Sequence, residues 1–471
     1  MIAIIILSFL ILLFFSPKND YINSRAHDYK AAGYFLATEQ KYQICEFFDG
    51  DDCILPYRME KSPGYPFILS LLFILFGASS ISTIIFNFVL AIFIPVLLYL
   101  LLYLLISKKW LSFFISCLFL VNSFYLKSST ESEVFNISTF FLLFSFFLVI
   151  KYYFRPEPKT FYLAIFSLLF LGFLRGEYII FSLLFIVLNY KMFISCFKSK
   201  QKFFNYIFVL FFAILLIHNI TEIKIQSDSD GTFVSIENLK PDENHYSFLK
   251  DFFFLNNFIF VLPIFLFSLF YLKNLNNPRF YILFSFLAFT LIILSYHSND
   301  GARYFIPHTS TFFLCLGLGA YNIFSLFEYK SVKLFVYFLF FIVFLLNILF
   351  FLKHGGIDYD GENFRKIMQK IPNENSFVIF STQTTLSFNI IDYSFAGTTP
   401  FYENKRVMVS IFRELNESVP KYFVQIPRGN MDDIVFEYYD TKLISMESMS
   451  EGKIKLFRLI EKNTTANLSI I

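Results

Sequence analysis

The sequence predicts a polytopic α-helical membrane protein of about eleven transmembrane helices, with a small C-terminal α/β domain on the extracytoplasmic side. Three observations carry this. Hydrophobic residues make up 56% of the 471, with 72 Phe against one Trp, more apolar side chain than a soluble core could hide. Apolar runs close to spanning length recur as far as residue 353. Beyond it the runs shorten, and Gly, Asn, Asp and Glu return.

A helix needs about 20 residues to cross the hydrocarbon core. On that rule the spans lie near 2–15, 81–107, 110–126, 134–154, 160–174, 178–190, 204–219, 252–272, 280–297, 304–327 and 334–352. The apolar run Pro66–Phe76 directly precedes a span and reads as a re-entrant or interfacial segment. The first run lacks a basic stretch before it and a small-residue cleavage site before Ser16, so it reads as a retained helix in preference to a signal peptide.

Charge fixes the sidedness. One set of loops holds Lys108, Lys109, Lys151, Arg155, Lys159, Lys191, Lys198, Lys200, Lys202, Lys273, Arg279, Lys330 and Lys333, with only Glu157 and Glu328 as acids. The opposite loops carry nearly all the Asp and Glu. The positive-inside rule makes the first set cytoplasmic, with the N-terminus inside and both the first loop, 16–64, and everything after Lys353 outside. The protein is then a multi-pass protein of the plasma membrane, or of the ER membrane in a eukaryote. A net charge of +3 is small and gives no reason to expect nucleic acid.

The chain divides into a membrane body, 1–353, and an extracytoplasmic α/β domain, 354–471. In the latter, Ser376–Ser381, Tyr422–Ile426 and Ile454–Ile460 read as strands, and Phe364–Gln369 and Val407–Leu415 show helical spacing. No Gly-rich phosphate loop or His/Cys metal spacing occurs there, and the domain reads as a structural or acceptor-binding cap. A second long polar loop, Thr221–Asp251, reads as a cover over the outer face. Of five cysteines, Cys117, Cys196 and Cys315 sit in or beside apolar spans and read as packing residues. Cys45 and Cys53 share the first outer loop, where an oxidising compartment permits either a disulfide or two thiols; a bridge closing so short a loop would contribute roughly 2–3 kcal/mol. Asn136, Asn219, Asn416, Asn463 and Asn467 fall in N-x-Ser/Thr patterns that an Asn-rich chain produces by chance.

Five features follow one another along the acidic face. Asp28-Tyr29 opens a segment with Ala31, Ala32, Leu36 and Ala37. Lys61-Ser62-Pro63-Gly64-Tyr65-Pro66 closes the first loop, its Pro and Gly suited to a tight bend that aims the chain back at the membrane. Thr130-Glu131-Ser132-Glu133 forms a short second loop, Arg175 ends a span, and Arg303-Tyr304-Phe305-Ile306-Pro307 enters a late one. In order and sidedness this resembles the GT-C class of membrane glycosyltransferases, near the branch of protein O-mannosyltransferases and lipid A aminoarabinose transferases. Two departures stand out: Lys61-Ser62 occupies the place of the usual Arg-Pro, and Tyr follows Asp28 at once. The second leaves Asp20 as a rival for the catalytic position, and Glu131 and Glu133 compete for one role.

The resemblance implies transfer of a sugar, hexosyl or pentosyl, from a polyprenyl-phosphate carrier to an acceptor hydroxyl on a lipid, glycan or protein, with inversion. An attacking hydroxyl must lose its proton, and a positioned carboxylate that accepts it contributes about 10²–10⁴-fold. The leaving lipid phosphate needs fixed cations, which Arg meets with a planar fork. Asp28, or else Asp20, would be the base, with Glu131 or Glu133 orienting the acceptor. Arg303, Arg175, Lys61 and Arg58 would bind the phosphate. His27 lies beside Asp28, and His297, Asp300 and His308 lie near Arg303. Asp28 with Glu133 could hold Mg²⁺ or Mn²⁺, although nothing in the pattern demands a metal. Two rivals remain. A flippase of lipid-linked saccharides would place ionisable residues mid-bilayer, where the spans are almost free of them. A non-catalytic scaffold would tolerate changes at Asp28, Asp20 and Arg303 alike.

Overall fold

A computed structural model of the chain describes residues 1–15, 24–42, 44–45, 47–49, 52–53, 56–57, 62–78, 80–122, 125–126, 129, 134–178, 181, 185–187, 257–273, 278–294, 305–354, 363, 366–367, 369–371, 376–380, 395–398, 420–425, 435–436, 439–449 and 452–461. The described chain is mostly helical. Its helices are α1 (Ile2–Phe15), α2 (Ser24–Thr38), α3 (Gly64–Phe76), α4 (Ser80–Ile106), α5 (Lys109–Leu120), α6 (Val134–Phe154), α7 (Pro158–Leu174), α8 (Leu262–Leu266), α9 (Pro278–Leu294), α10 (Phe305–Leu326) and α11 (Lys330–His354). Among the described residues, four stretches are long and apolar enough to cross a bilayer: Ile81–Ile106, Val134–Phe154, Pro307–Leu326 and Lys330–Leu349. Four further apolar helices, Ile2–Phe15, Gly64–Phe76, Lys109–Leu120 and Pro158–Leu174, are shorter.

Most expected spans coincide with these helices within a few residues, and two differ for local reasons. The span expected at 110–126 stops at Leu120; two residues on, the side chain of Asn122 reaches forward to accept the Tyr125 N–H at 3.1 Å. The span expected at 252–272 is broken into a 3₁₀ turn at Phe258–Phe260, the short α8 and a second 3₁₀ stretch, Phe267–Lys273. Asn257 enters it in the left-handed conformation (φ 56°), a region Asn tolerates, and Pro263 occupies the first turn of α8. Pro66–Phe76, expected to lie at or re-enter the interface, belongs to α3, which Gly77 ends at φ 80°. The expected span 204–219, the loop Thr221–Asp251, Cys196 and the helix expected at Val407–Leu415 lie outside the described residues.

Lipid tails supply little driving force between helices, so contact depends on small residues and local hydrogen bonds. A Cβ on Gly317 of α10 would meet Leu102 of α4, and one on Gly319 would meet the carbonyl of Ile264. Between α6 and α7, Ser145 Oγ lies 2.7 Å from Ser167 Oγ, an interhelical bond of the kind that contributes about 0.6 kcal/mol in a bilayer. Stacked rings fill the centre: Phe258 on Phe312 at 4.8 Å and Phe265 on Phe312 at 5.1 Å. At one end Arg279 of α9 donates to the Leu105 carbonyl at 2.9 Å and covers the Tyr321 ring at 4.9 Å. The end of α4, the start of α9 and the end of α10 therefore meet, and all three belong to the basic side of the sequence.

The strands form two sheets. In the first loop, β1 (Ile44–Cys45) pairs antiparallel with β4 (Pro56–Tyr57). Between them, β2 (Phe47–Asp49) and β3 (Asp52–Cys53) form a hairpin. The C-terminal strands are β5 (Phe377–Phe380), β6 (Phe395–Thr398), β7 (Lys421–Gln425), β8 (Tyr439–Met449) and β9 (Gly452–Glu461). They join the hairpin in a seven-stranded sheet of order β3-β2-β6-β5-β7-β9-β8, in which β5 runs parallel to β6 and β7 and the other pairs are antiparallel. Val378, Phe423, Val424, Ile454 and Leu456 are fully buried, and Phe423 and Phe457 stack as register partners. The three strands expected from the sequence are present as β5, β7 and β9. The contribution of the first loop to the same sheet was not anticipated.

Candidate active site

The motifs read from the sequence meet where α2, α3, α6 and α7 pack. Asp28 lies in α2, with its side chain outside the described residues. The residue after it fixes where that helix sits: the Tyr29 ring stands edge-on to the Tyr65 ring, centroids 5.4 Å apart. Tyr65 is fully buried, and Asn87 of α4 donates from Nδ2 to its Oη at 3.1 Å. One turn along α2, a Cβ on Gly33 would lie 2.8 Å from Leu69 Cβ and 3.2 Å from the Pro66 carbonyl, so the glycine allows the two helix backbones to close on each other. Between these contacts Lys30 is only 1% exposed. A lysine this buried is rare unless its charge is met, and composition offered no sign of it. It is the charged residue that sequence reasoning missed; its place on the Gly33 face, three residues earlier, was the available signal.

The bend closing the first loop is held from the other side. Pro63 caps α3 (φ −77°, ψ −7°). The next residue, Gly64, abuts the backbone of Phe173 and Leu174 at the end of α7. Arg175 follows at once and caps α7, its N–H donating to the Leu171 carbonyl at 3.0 Å. Its guanidinium carbon lies 5.2 Å from the Phe135 ring centre and 5.8 Å from that of Tyr178. Phe135 is the second residue of α6, directly after the Glu131–Glu133 loop. Across that loop Asn136 Nδ2 donates to the Ser129 carbonyl at 3.1 Å, and Ser129 Oγ to the Leu126 carbonyl at 2.7 Å. Asn136 is 1% exposed, which removes it from the candidate glycosylation acceptors.

The structure thus brings together the helix of Asp28, the Pro63–Pro66 bend, the start of α6 and Arg175. Tyr65, Leu69, Phe73, Val134, Ile137 and Leu174 form one buried cluster, with Tyr29 packed against it. Asp20, Glu131, Glu133, Arg303, Lys61, Arg58, His297 and Asp300 lie outside the described residues, as do the side chains of His27, Cys45 and Cys53. On the backbone, Cys45 is opposite Pro56 and Cys53 opposite Phe48. His308, in the first turn of α10, stacks on Phe286 at 4.8 Å, with its Nε2 2.8 Å from Thr290 Oγ1. That arrangement seats it in the helix packing. Among the described residues no group of His, Cys, Asp and Glu could hold a metal ion. The carboxylates Asp28 and Glu133, the pair suited to Mg²⁺ or Mn²⁺, are not among the side chains described.

No protein-family model and no curated protein matches the sequence. Solved structures do. ArnT from Cupriavidus metallidurans, both in the apo state and bound to undecaprenyl phosphate, aligns over 97% of this chain and 97% of its own with a TM-score of 0.57, at 9% and 10% identity. The archaeal oligosaccharyltransferase AglB from Archaeoglobus fulgidus, in complex with an inhibitory peptide and a dolichol-phosphate, aligns over 99% of this chain and 75% of its own, with a TM-score of 0.52 and 11% identity. The chain has the GT-C membrane fold that these structures share.

Proposed function

We propose that this protein is a membrane glycosyltransferase that moves a sugar from a polyprenyl-phosphate carrier to an acceptor hydroxyl, inverting the anomeric carbon. The observation that carries the reading is the convergence of the Asp28 helix, the Pro63–Pro66 bend and Arg175 at one corner of a GT-C fold. Carrier lipids of this class are bound in the solved structures of ArnT and AglB.

In this mechanism Asp28 accepts the proton of the acceptor hydroxyl as its oxygen attacks the anomeric carbon, and the bond to the lipid phosphate breaks on the opposite face. Arg175 meets the charge that grows on the departing phosphate in this reading. Its guanidinium lies against the Phe135 and Tyr178 rings, which hold the planar fork in one orientation. Arg303, Lys61 and Arg58 supply further positive charge, and Glu131 or Glu133 orients the acceptor. The site faces the extracytoplasmic side, because the loops that form it are the acidic ones.

A flippase would need charged groups along a path through the bundle. Among the described residues of the four long apolar stretches, the charges are Lys151, Lys330 and Lys333, all near helix ends. This favours chemistry at one end over alternating access. The test is transfer of label from a panel of polyprenyl-phosphate sugars in membranes containing wild type, Asp28→Asn or Asp20→Asn. Loss confined to Asp28→Asn, by about 10²–10⁴-fold, supports both reaction and base. Loss confined to Asp20→Asn keeps the reaction and moves the base. Transfer by all three, or none by wild type with an acceptor source present, rejects the assignment.

A further inference from the structure

The first loop does not end at the membrane body. Beyond α2 it rises as a two-stranded arm, with β1 and β4 at the base and the β2–β3 hairpin at the tip, and returns to start α3. The tip is stitched into the C-terminal sheet: Phe47, Phe48 and Asp49 are opposite Gly397, Ala396 and Phe395 of β6. One unbroken row of register partners runs Lys442, Arg458, Tyr422, Val378, Ala396, Phe48, Cys53, from the C-terminal edge to the tip of the arm. Val378, in the middle of that row, is fully buried. Without the arm, β6 would be an edge strand with a row of unpaired backbone groups.

The base of the arm is constrained as tightly. It joins α2 and α3, whose backbones close at Gly33 and whose rings meet at Tyr29 and Tyr65; β1 also packs on α2. A segment clamped at both ends transmits the placement of one to the other. We propose that the C-terminal sheet is the positioning element of the candidate site: β6 holds the arm, and through it the loop that bears Asp28 and Lys61. None of the residues of β6 need touch substrate. An acceptor or glycan bound to the C-terminal unit would then be sensed at the base through the arm. The catalytic part of this inference rests on the glycosyltransferase reading; the mechanical part does not.

The test uses the full chain in lipid nanodiscs. Phe48→Cys with Ala396→Cys is made in a Cys45→Ser, Cys53→Ser background. Directly opposed residues of an antiparallel pair lie close enough for a disulfide, so mild oxidation should link the two, seen as a gel shift after cleavage between them. The linked protein should transfer sugar as the reduced one does. A second variant, Phe48→Pro, removes the β2–β6 ladder while leaving β5–β6 intact. It should speed amide exchange across Ser24–Thr38 by about tenfold. It should also lower kcat by about 10²-fold, with the KM for the lipid donor and the melting of the membrane body little changed.

Failure of the two cysteines to link, unchanged exchange across Ser24–Thr38 in Phe48→Pro, or loss of transfer in the linked protein each overturns the proposal. Linking and faster exchange, in a protein that transfers no sugar even as wild type, would leave the arm as a positioning element and reject the reaction instead.

Discussion

Gly64 abuts the carbonyl of Phe173 so closely that no side chain fits between them, and a Cβ at that position would also lie 2.9 Å from Leu174 Cα. Because Arg175 is the next residue, this contact sets the distance between the bend that closes the first loop and the cation at the end of α7. Both neighbours are backbone atoms, which cannot rotate away. Gly64→Ala should therefore push α3 off α7, with a cost of about 1–3 kcal/mol from overpacking. Thermal unfolding in detergent measures the loss, and a protein that melts like wild type would mean that the two helices separate without penalty.

Tyr65 lies behind that bend, and its buried hydroxyl accepts from Asn87 Nδ2 at 3.1 Å. Removing the hydroxyl leaves the ring and its contact with Tyr29 in place. Tyr65→Phe should destabilise by about 1 kcal/mol, the net contribution of one such bond, with transfer unchanged. A large fall in kcat at unchanged melting temperature would instead place the hydroxyl among the reacting groups.

Much of this was legible in the sequence, for physical reasons that differ by element. The helix Val134–Phe154 was read to its exact ends, because Lys151 and Arg155 at one end and Glu131 and Glu133 before the other punctuate a mostly apolar run. The bend at Pro63-Gly64 was legible because Pro and Gly report backbone demands locally. The broken segment after Asn257 was not, since apolar composition predicts burial and says nothing of whether a helix stays continuous across Pro263. Lys30 was missed because a charged residue in a polar loop reads as solvated, and its place on the Gly33 face signals burial only weakly. The pairing of Phe48 with Ala396 joins residues too far apart in sequence for any periodicity to report.

Arg175 rests between the rings of Phe135 and Tyr178, a seat that suits a planar guanidinium better than a lysine ammonium. Arg175→Lys keeps the charge and gives up the fork. If Arg175 meets the lipid phosphate, the KM for the donor should rise by about tenfold, in line with loss of one charge-assisted hydrogen bond. An anchor for α7 alone would show the reverse pattern, a lower melting temperature with the donor KM unmoved. Steady-state transfer at varied donor concentration, run beside thermal unfolding, separates the two.

Asn136, three residues after Glu133, donates to the carbonyl of Ser129, which precedes Glu131 by two residues. The bond is buried, so its loss leaves a carbonyl without that donor where water has little access, at a cost of about 1–3 kcal/mol. Asn136→Ala should lower the melting temperature accordingly. If either glutamate orients the acceptor, it should also raise the acceptor KM more than the donor KM, because the loop and not the Arg175 seat is loosened. Asn136→Asp keeps an oxygen but loses the donor, and should behave like Asn136→Ala. A glycan-dependent mobility shift at Asn136 in wild type would contradict its burial and remove the basis of this prediction.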